Sequence, residues 1–321
     1  MTPDAEPPAS AAATKSGIVT LAGRPNAGKS TLMNHLLEEK VAIVSDKPQT
    51  TRHVLIGILS DRRGQIVFHD TPGMHRPLHR LNRQMVRGAR EALSHADVAC
   101  LVVDASQAFG AGEAFMLDLM SRVEVPRVLV LNKIDLVSKP KLLPRIERYA
   151  AKLAFDEIVP ASALHGDGTD RVLEAFWRLL PHGEPLYDPD LLTLHPERFL
   201  AAERIREKVL ERTHKELPFT TAVVIDRWEP VPERELLRIH ATILVERPGQ
   251  KKIVIGRGGA TVKAIGTAAR LDLEEFLERR VYLELFVKVE PRWREKRRVL
   301  AALDSEMLAA GPFGPASRTS S

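Results

Sequence analysis

From Gly17 onward, short apolar runs alternate with longer amphipathic stretches. The runs are GIVTLAG, VLIGIL, QIVFHD, VACLVVDAS, RVLVLNKID and EIVPAS. Such short apolar runs suit strands buried on both faces. Between most of them lie helix-length segments such as Lys29–Glu39, Leu81–His95 and Lys141–Leu153. VLIGIL and QIVFHD are instead joined by a polar SDRRG, which reads as an antiparallel hairpin. The rest reads as βα units. The pattern therefore predicts an α/β domain over 17–181, a mainly parallel sheet with helices on both faces, ending at helix Thr169–Leu180 and Pro181.

HGEPLYDPDLLTLHPE, residues 182–197, is rich in proline and acids and reads as a linker. A new order then begins: helix Arg198–Lys215, strands FTTAVVIDRWE and LLRIHATILVER, a glycine loop, a helix through Arg270, another from Asp272 to Glu278, and strand VYLELFVKVE. That α–β–β–α–α–β order over 198–290 is a small α+β module. Residues 291–321 are expected to add a short basic helix, WREKRRVLAAL, and a disordered end, and residues 1–16 a flexible tail.

A chain of 321 residues is consistent with two domains. Its apolar runs are too short to span a membrane as helices, and its first residues lack the basic-then-apolar start of a secretory signal. A single cysteine, Cys100, sits in an apolar run, which excludes an intrachain disulfide and reads as a buried inert thiol. The expectation is a soluble cytoplasmic protein. The net charge of +5 becomes informative once divided: residues 1–197 hold 23 Lys+Arg against 24 Asp+Glu, residues 198–321 hold 24 against 18. The positive excess lies in the second part, which suggests a polyanionic partner there.

GRPNAGKST, following the first apolar run and opening a helix, fits G-x-x-x-x-G-K-[ST]. The loop Gly23, Arg24, Pro25, Asn26, Ala27 and Gly28, with Thr31 in the first helical turn, can surround a β-phosphate with backbone N–H groups at a helix N-terminus. Lys29 would neutralise β- and γ-oxygens, and the Ser30 hydroxyl would ligate Mg²⁺. DTPG, comprising Asp70, Thr71, Pro72 and Gly73, places a carboxylate at a strand end where it can hold Mg²⁺ through water. Gly73 offers the γ-phosphate a backbone N–H and a pivot. In NKID, Asp135 can accept from guanine N1–H and the exocyclic amine, a donor pair adenine lacks. The stem of Lys133 can pack along the purine, and Asn132 can tie the loops together. In ASA, Ser162 and Ala163 close the next strand and can present a backbone N–H to guanine O6. Together these motifs specify GTP and GDP.

Between the phosphate loop and DTPG lies KPQTTRHVLIG, whose threonine can complete the Mg²⁺ shell and report on the γ-phosphate. Thr51, beside Arg52, is preferred to Thr50. The residue after DTPG is Met74, which cannot orient a water, so intrinsic hydrolysis should be slow. Asn26 could place a monovalent cation, K⁺, beside the phosphates. His69, His75 and His79 flank this segment and read as solvated or supporting histidines rather than a general base.

The second glycine loop, GRGG, has neither a following GK[ST] nor a dinucleotide pattern. Gly256, Arg257, Gly258 and Gly259 instead form the G-x-x-G of a KH module, where close glycines let a nucleic-acid backbone lie against the chain at a helix N-terminus. Lys251, Lys252, Arg257 and Lys263 can add phosphate contacts. Ile253, Ile255, Val262 and Ile265 could floor a cleft for unpaired bases or belong to the core. Trp293 in RWREKRR could stack on a base or sit on a solvated helix face.

GRPNAGKST, KPQTTRH, DTPGMH, NKID and ASA in this order, followed by RFLAAERIREKVLERTHKELPF and ILVERPGQKKIVIGRGG, resemble the Era family of GTPases from about Gly17 to Val289. Departures are Ala27, Val262 and Phe286, where the family more often has valine, isoleucine and tryptophan. The resemblance implies a P-loop GTPase domain followed by a type II KH domain, and a role in 16S rRNA processing and 30S ribosomal subunit biogenesis. The partner so implied is the 16S rRNA 3′ end, held by the KH domain under control of the GTP state, in a monomer with peripheral contact to the inner face of the cell membrane. Two other readings remain at this stage. One is a GTPase acting in RNA modification or protein targeting; the other is an RNA-binding protein with weak or lost GTPase activity.

Overall fold

The computed structural model describes residues 14–47, 49–74, 80–213 and 217–307. The first sheet is built from β1 (Lys15–Gly23), β2 (Leu55–Asp61), β3 (Gly64–Asp70), β4 (Val98–Asp104), β5 (Arg127–Asn132) and β6 (Glu157–Pro160), in the order β2-β3-β1-β4-β5-β6. Only β2, the first arm of the expected hairpin, runs antiparallel to its neighbour. The apolar runs are continuous because the sheet is covered on both faces. In β4, Val98, Cys100 and Val102 pack with α1 (Lys29–Leu37) and α5 (Thr169–Leu179). Ala99, Leu101 and Val103 pack with α2 (Arg80–Ser94), α3 (Ala111–Ser121) and α4 (Leu142–Ala150). Cys100 is fully buried, and burial pushes its thiol up out of the reactive range.

After β1 the chain turns to β2 and β3 on one side, then crosses to β4 on the other. The carboxyl ends of β1 and its neighbours therefore border a topological switch point, where open α/β sheets bind ligands. Residues 182–196 form no helix or strand, but they run along the edge strand β2. Ile58 N–H donates to Leu192 O at 2.8 Å and Ile56 N–H to His195 Nε2 at 2.9 Å. Gln65 Oε1 accepts from the N–H groups of Leu186 and Tyr187, both at 2.9 Å. The segment expected as a linker thus covers an edge that would otherwise expose unpaired backbone groups.

The second part comprises α6 (Glu197–Glu211), α7 (Leu217–Thr220), β7 (Ala222–Val231), β8 (Leu236–Val245), α8 (Pro248–Ile255), α9 (Ala260–Leu277) and β9 (Arg280–Val289). Its sheet runs β7-β8-β9, antiparallel then parallel, with Ile205, Val209, Ile239, Ile243, Val254, Ile265 and Leu273 in the core. The α–β–β–α–α–β order holds, but the helices divide differently from expectation. PGQKKIVI is a helix, with Pro248 at its first turn, and GRGG joins it to α9. The expected break between Arg270 and Asp272 is absent: α9 is one helix, since Ile265, Ala269, Leu273 and Leu277 keep one apolar face. α10 (Arg297–Met307) follows. Trp293, expected on the surface, is fully buried against Leu81, Met85 and Leu300, with Nε1 donating to Thr220 O at 2.8 Å.

Candidate nucleotide site and its contact with the RNA-binding module

The carboxyl ends of β1, β3, β5 and β6 deliver Gly23, Asp70, Asn132 and Ala161 to one rim of the sheet. A cavity of about 380 Å³ opens there, lined among others by Asn26, Gly28, Lys29, Ser30, Thr51, Gly73, Lys133, Asp135 and Ser162. Its phosphate end depends on missing side chains. A Cβ on Gly28 (φ +95°) would meet Asn132 Nδ2 at 2.1 Å, and one on Gly73 would meet Pro25 Cα at 2.5 Å. Asn132 ties the site together as expected: Nδ2 donates to Ala27 O at 2.8 Å and Oδ1 accepts from Ala163 N–H at 2.9 Å.

Three hard oxygen donors converge beside Lys29. The Ser30 hydroxyl donates to Asp70 Oδ2 at 2.5 Å, and Ser30 Oγ lies 2.9 Å from Thr51 Oγ1, which is 3.4 Å from the same carboxylate oxygen. Asp70 Oδ1 is buried with no hydrogen-bond partner. Burial pushes the Asp70 carboxyl up to about 6, opposed by the charge of Lys29. Burial likewise lowers the Lys29 ammonium, opposed by Asp70, and the amine donates to Arg24 O at 3.0 Å. An oxygen set with an orphaned carboxylate oxygen suits a small hard cation such as Mg²⁺. Thr50 is excluded from this cluster, because its hydroxyl donates to Lys47 O at 2.6 Å.

At the other end of the cavity, the Ser162 hydroxyl donates to Asp135 Oδ1 at 2.6 Å, which aims that carboxylate. Lys133 Nζ donates to Asp104 Oδ2 at 2.8 Å, an orienting partner that the sequence reading passed over because it belongs to no named motif. Other candidates lie outside the cavity. The Arg24 side chain turns toward α3 and pairs with Glu113 at 2.5 Å, and Thr71 turns inward to donate to Leu21 O at 2.7 Å. Met74 is buried. Of the two readings for His69, solvated or supporting, burial removes the first: it is 2 % exposed, and burial holds its imidazole down at about 4, hence neutral. His75 and His79 lie outside the described residues.

In the second module, GRGG is an exposed turn in which Gly256, Gly258 and Gly259 have φ of +75°, +58° and +81°. A Cβ on Gly258 or Gly259 would meet nothing within 4 Å, so the loop is open to an incoming backbone rather than packed. Lys252, Arg257 and Lys263 are exposed around it and Lys251 half-buried. Ile253 is 57 % exposed, Ile255 and Val262 are half-buried, whereas Ile265 belongs to the core.

The two parts touch through the segment that carries Thr51. The buried Arg206 guanidinium donates to Thr50 O while pairing with Glu203, and buried Arg52 donates to Thr221 O at 2.7 Å with its guanidinium 5.5 Å from the Trp293 ring. Val44 N–H donates to Glu207 Oε1 at 2.9 Å, and Lys40 pairs with Glu207 at 2.6 Å. The sequence reading missed Arg52, Glu203 and Arg206 as coupling residues, since charged residues at helix spacing look like a solvated face.

Comparison with known proteins agrees over both parts. The family described as 50S ribosome-binding GTPase matches residues 18–133, and the KH domain family matches residues 216–294. The chain is 46 % identical over 286 residues to GTPase Era of Syntrophus aciditrophicus, covering 89 % of this chain and 94 % of that protein. It is 48 % identical over 295 residues to GTPase Era of Trichlorobacter lovleyi, covering 91 % and 98 %. A crystal structure of Era in complex with MgGDPNP and nucleotides 1506–1542 of 16S ribosomal RNA superposes with a TM-score of 0.88 at 38 % identity, covering 90 % of this chain and 98 % of the other. A variant of Aquifex aeolicus Era bound to GDP·AlF₄⁻ superposes with a TM-score of 0.87 at 39 % identity, covering 90 % and 99 %. A GTPase domain and a KH domain are thus joined in this chain, and the chain belongs to the Era family of GTPases.

Proposed function

We propose that this GTPase acts as a switch that holds the 3′ end of 16S rRNA in its KH module and serves processing of that RNA and biogenesis of the 30S subunit. The observation that carries the coupling is the bond from Arg206 to Thr50 O, one residue from the hydroxyl beside Ser30 and Asp70. In this reading Ser30, Asp70 and Thr51 hold Mg²⁺, Lys29 the β- and γ-phosphates, and Asp135 the guanine. Mg²⁺ supplies charge neutralisation at the transferred phosphoryl group. When the γ-phosphate leaves, Thr51 loses its partner, and the 44–53 segment transmits that loss to α6 through Thr50 and Arg52. The rival reading of a dead nucleotide site fits poorly with the intact Lys29, Ser30, Asp70 and Asp135 cluster.

The finer expectations are retained as part of this proposal: a monomer, cytoplasmic, with peripheral contact at the inner membrane face, and K⁺ beside the phosphates. Asn26 Nδ2 donates to Asp46 O at 2.6 Å, so the amide already bridges the phosphate loop and the 44–53 segment. A rotation of that amide would turn two oxygens toward one cation. Turnover at saturating Mg²⁺ should be faster in potassium than in sodium buffer; equal rates contradict the cation site.

Gly258→Asp tests the RNA half. The carboxylate enters open space where a phosphate backbone would lie, so binding of a 16S 3′-end oligonucleotide should be lost while GTP hydrolysis without RNA persists. Retained RNA binding, or loss of both activities, contradicts the assignment.

A further inference from the structure

A second cavity, of about 350 Å³, lies between α4 and the loop that follows β4, and it shares no lining residue with the nucleotide cavity. Ala105, Phe109, Leu131, Pro140 and Pro144 give it apolar walls. Tyr149 completes them. It is 7 % exposed, and its hydroxyl has no hydrogen-bond partner among the described residues. Burial pushes that phenol up to about 12, so the hydroxyl stays protonated and able to donate. Buried polar groups are normally paired, so an unpaired hydroxyl in a cavity wall marks a contact that an occupant would complete.

The rim of this cavity is positive. Lys141, Arg145 and Arg148 line it, and Lys152 follows one turn on, its amine 5.1 Å from the centre of the Phe109 ring. At 100° per residue these four fall within an arc of about 60°, while Glu147, the one acid between them in sequence, points roughly 100° away. None of the four forms an ion pair with a described residue. Asp104, the one carboxylate in the lining, is already held by Lys133 at 2.8 Å and Ser106 at 2.6 Å. A solvated helix face would normally interleave acids at i+3 or i+4, and this one does not.

We infer that this cavity docks a protein partner through an acidic peptide segment, with one apolar side chain entering between the prolines and Phe109 and carboxylates on either side meeting the α4 cations. Charge complementarity sets the class of partner, and the apolar walls set what enters. A small organic anion fits less well. Lys141 and Arg148 are exposed at the rim rather than buried in the walls, so a single head group would be held weakly in water, whereas a chain meets several cations at once. RNA also fits less well, because a stacked base needs a free aromatic face. Phe109 has Lys152 over its ring and Tyr149 packed against it edge-on, with centroids 5.4 Å apart. Through Asp104 and its bond to Lys133, the occupant would sit one side chain from the NKID segment.

The test uses full-length protein with GDP and a fluorescein-labelled peptide that carries one phenylalanine flanked on both sides by glutamates. Two variants separate the rim from the cavity: Lys141→Gln with Arg148→Gln removes exposed cations, and Ala108→Phe fills space at an exposed lining residue. Each should weaken the peptide about tenfold or more, as should serine in place of the peptide's phenylalanine. GTP hydrolysis should be unchanged in both variants, since neither touches the nucleotide cavity. Failure of the peptide to bind wild type overturns the inference, and so does binding that either variant leaves intact. Acetylphenylalanine competing as well as the peptide would assign the cavity to a small anion and overturn it too. The same holds if the rim variant loses an unrelated single-stranded oligonucleotide while keeping the peptide, which would give the face to nucleic acid.

Discussion

The Arg206 guanidinium donates to the backbone carbonyl of Thr50 across the junction between the two parts of the chain. It is 1 % exposed and also pairs with Glu203 on its own helix. A charged group so placed fixes one position of the 44–53 segment, since any other would leave a buried cation without its acceptor. The second part of the chain therefore contacts the backbone next to Thr51 rather than the cavity itself.

Arg206→Met should remove this bond together with both hydrogen bonds that Arg206 gives the Glu203 carboxylate, lowering stability by about 3 kcal/mol. GTP and GDP should still bind, but the difference in RNA affinity between the two nucleotide states should shrink. Thermal melts and RNA titrations in each state measure the two effects separately. Arg206→Lys should restore part of the stability and little of the coupling, because an ammonium cannot span both acceptors as the fork does.

Gly73→Ala places a Cβ 2.5 Å from Pro25 Cα, a backbone contact that cannot relax by rotating a side chain. The phosphate loop and DTPG then cannot approach each other. GDP affinity should fall little, while hydrolysis falls by at least about tenfold, readable as a loss in kcat with a small change in KM.

Ser162→Ala removes the hydroxyl that donates to Asp135 at 2.6 Å. A hydrogen bond to a charged group contributes about 1.5 kcal/mol, so affinity for GDP should drop roughly tenfold. Discrimination against adenine nucleotides should narrow. Isothermal titration with GDP and ADP tests both.

Asp70 gives a pH dependence with a definite sign. Its carboxyl is held at about 6 in the folded chain, above its ordinary value near 4, because it is buried. The contribution of this group to stability without ligand is present below pH 4 and lost as pH rises through 6. Cation binding needs the ionised form, so the Mg²⁺ concentration required for nucleotide binding should rise about tenfold per pH unit below 6. Asp70→Asn should abolish that dependence along with Mg²⁺-dependent binding. His69 and His195, both lowered to about 4 by burial, oppose Asp70 in melts: they favour the fold above pH 6.5 and cost stability as pH falls toward 4. Mg²⁺ titration is therefore the cleaner readout.

The nucleotide site was legible because its chemistry sits in contiguous motifs at strand ends, where Gly28, Lys29, Ser30, Asp70 and Asp135 each follow an apolar run. Thr51 could be preferred to Thr50, and the structure puts its hydroxyl beside Ser30. The glycine loop was recognised, but the helix over PGQKKIVI was not assigned, and a proline and a glycine at its start hide it. Proline fits the first turn of a helix, where its missing N–H leaves no hydrogen bond unmade. Trp293 was misplaced because five of the six residues around it in RWREKRR are basic, which hides a single anchor pointing inward. Arg52, Glu203 and Arg206 were invisible as a unit. They are distant in sequence, and only the packing of α6 against the 44–53 segment brings them together.

The claim that nucleotide state controls the grip on RNA is tested most directly by one titration. Affinity of the full chain for a fluorescent 16S 3′-end oligonucleotide is measured with a non-hydrolysable GTP analogue and with GDP at the same Mg²⁺ and salt. Tighter binding with the GTP analogue, with the gap reduced in Arg206→Met, is the predicted result. Equal affinity in the two nucleotide states would contradict the account.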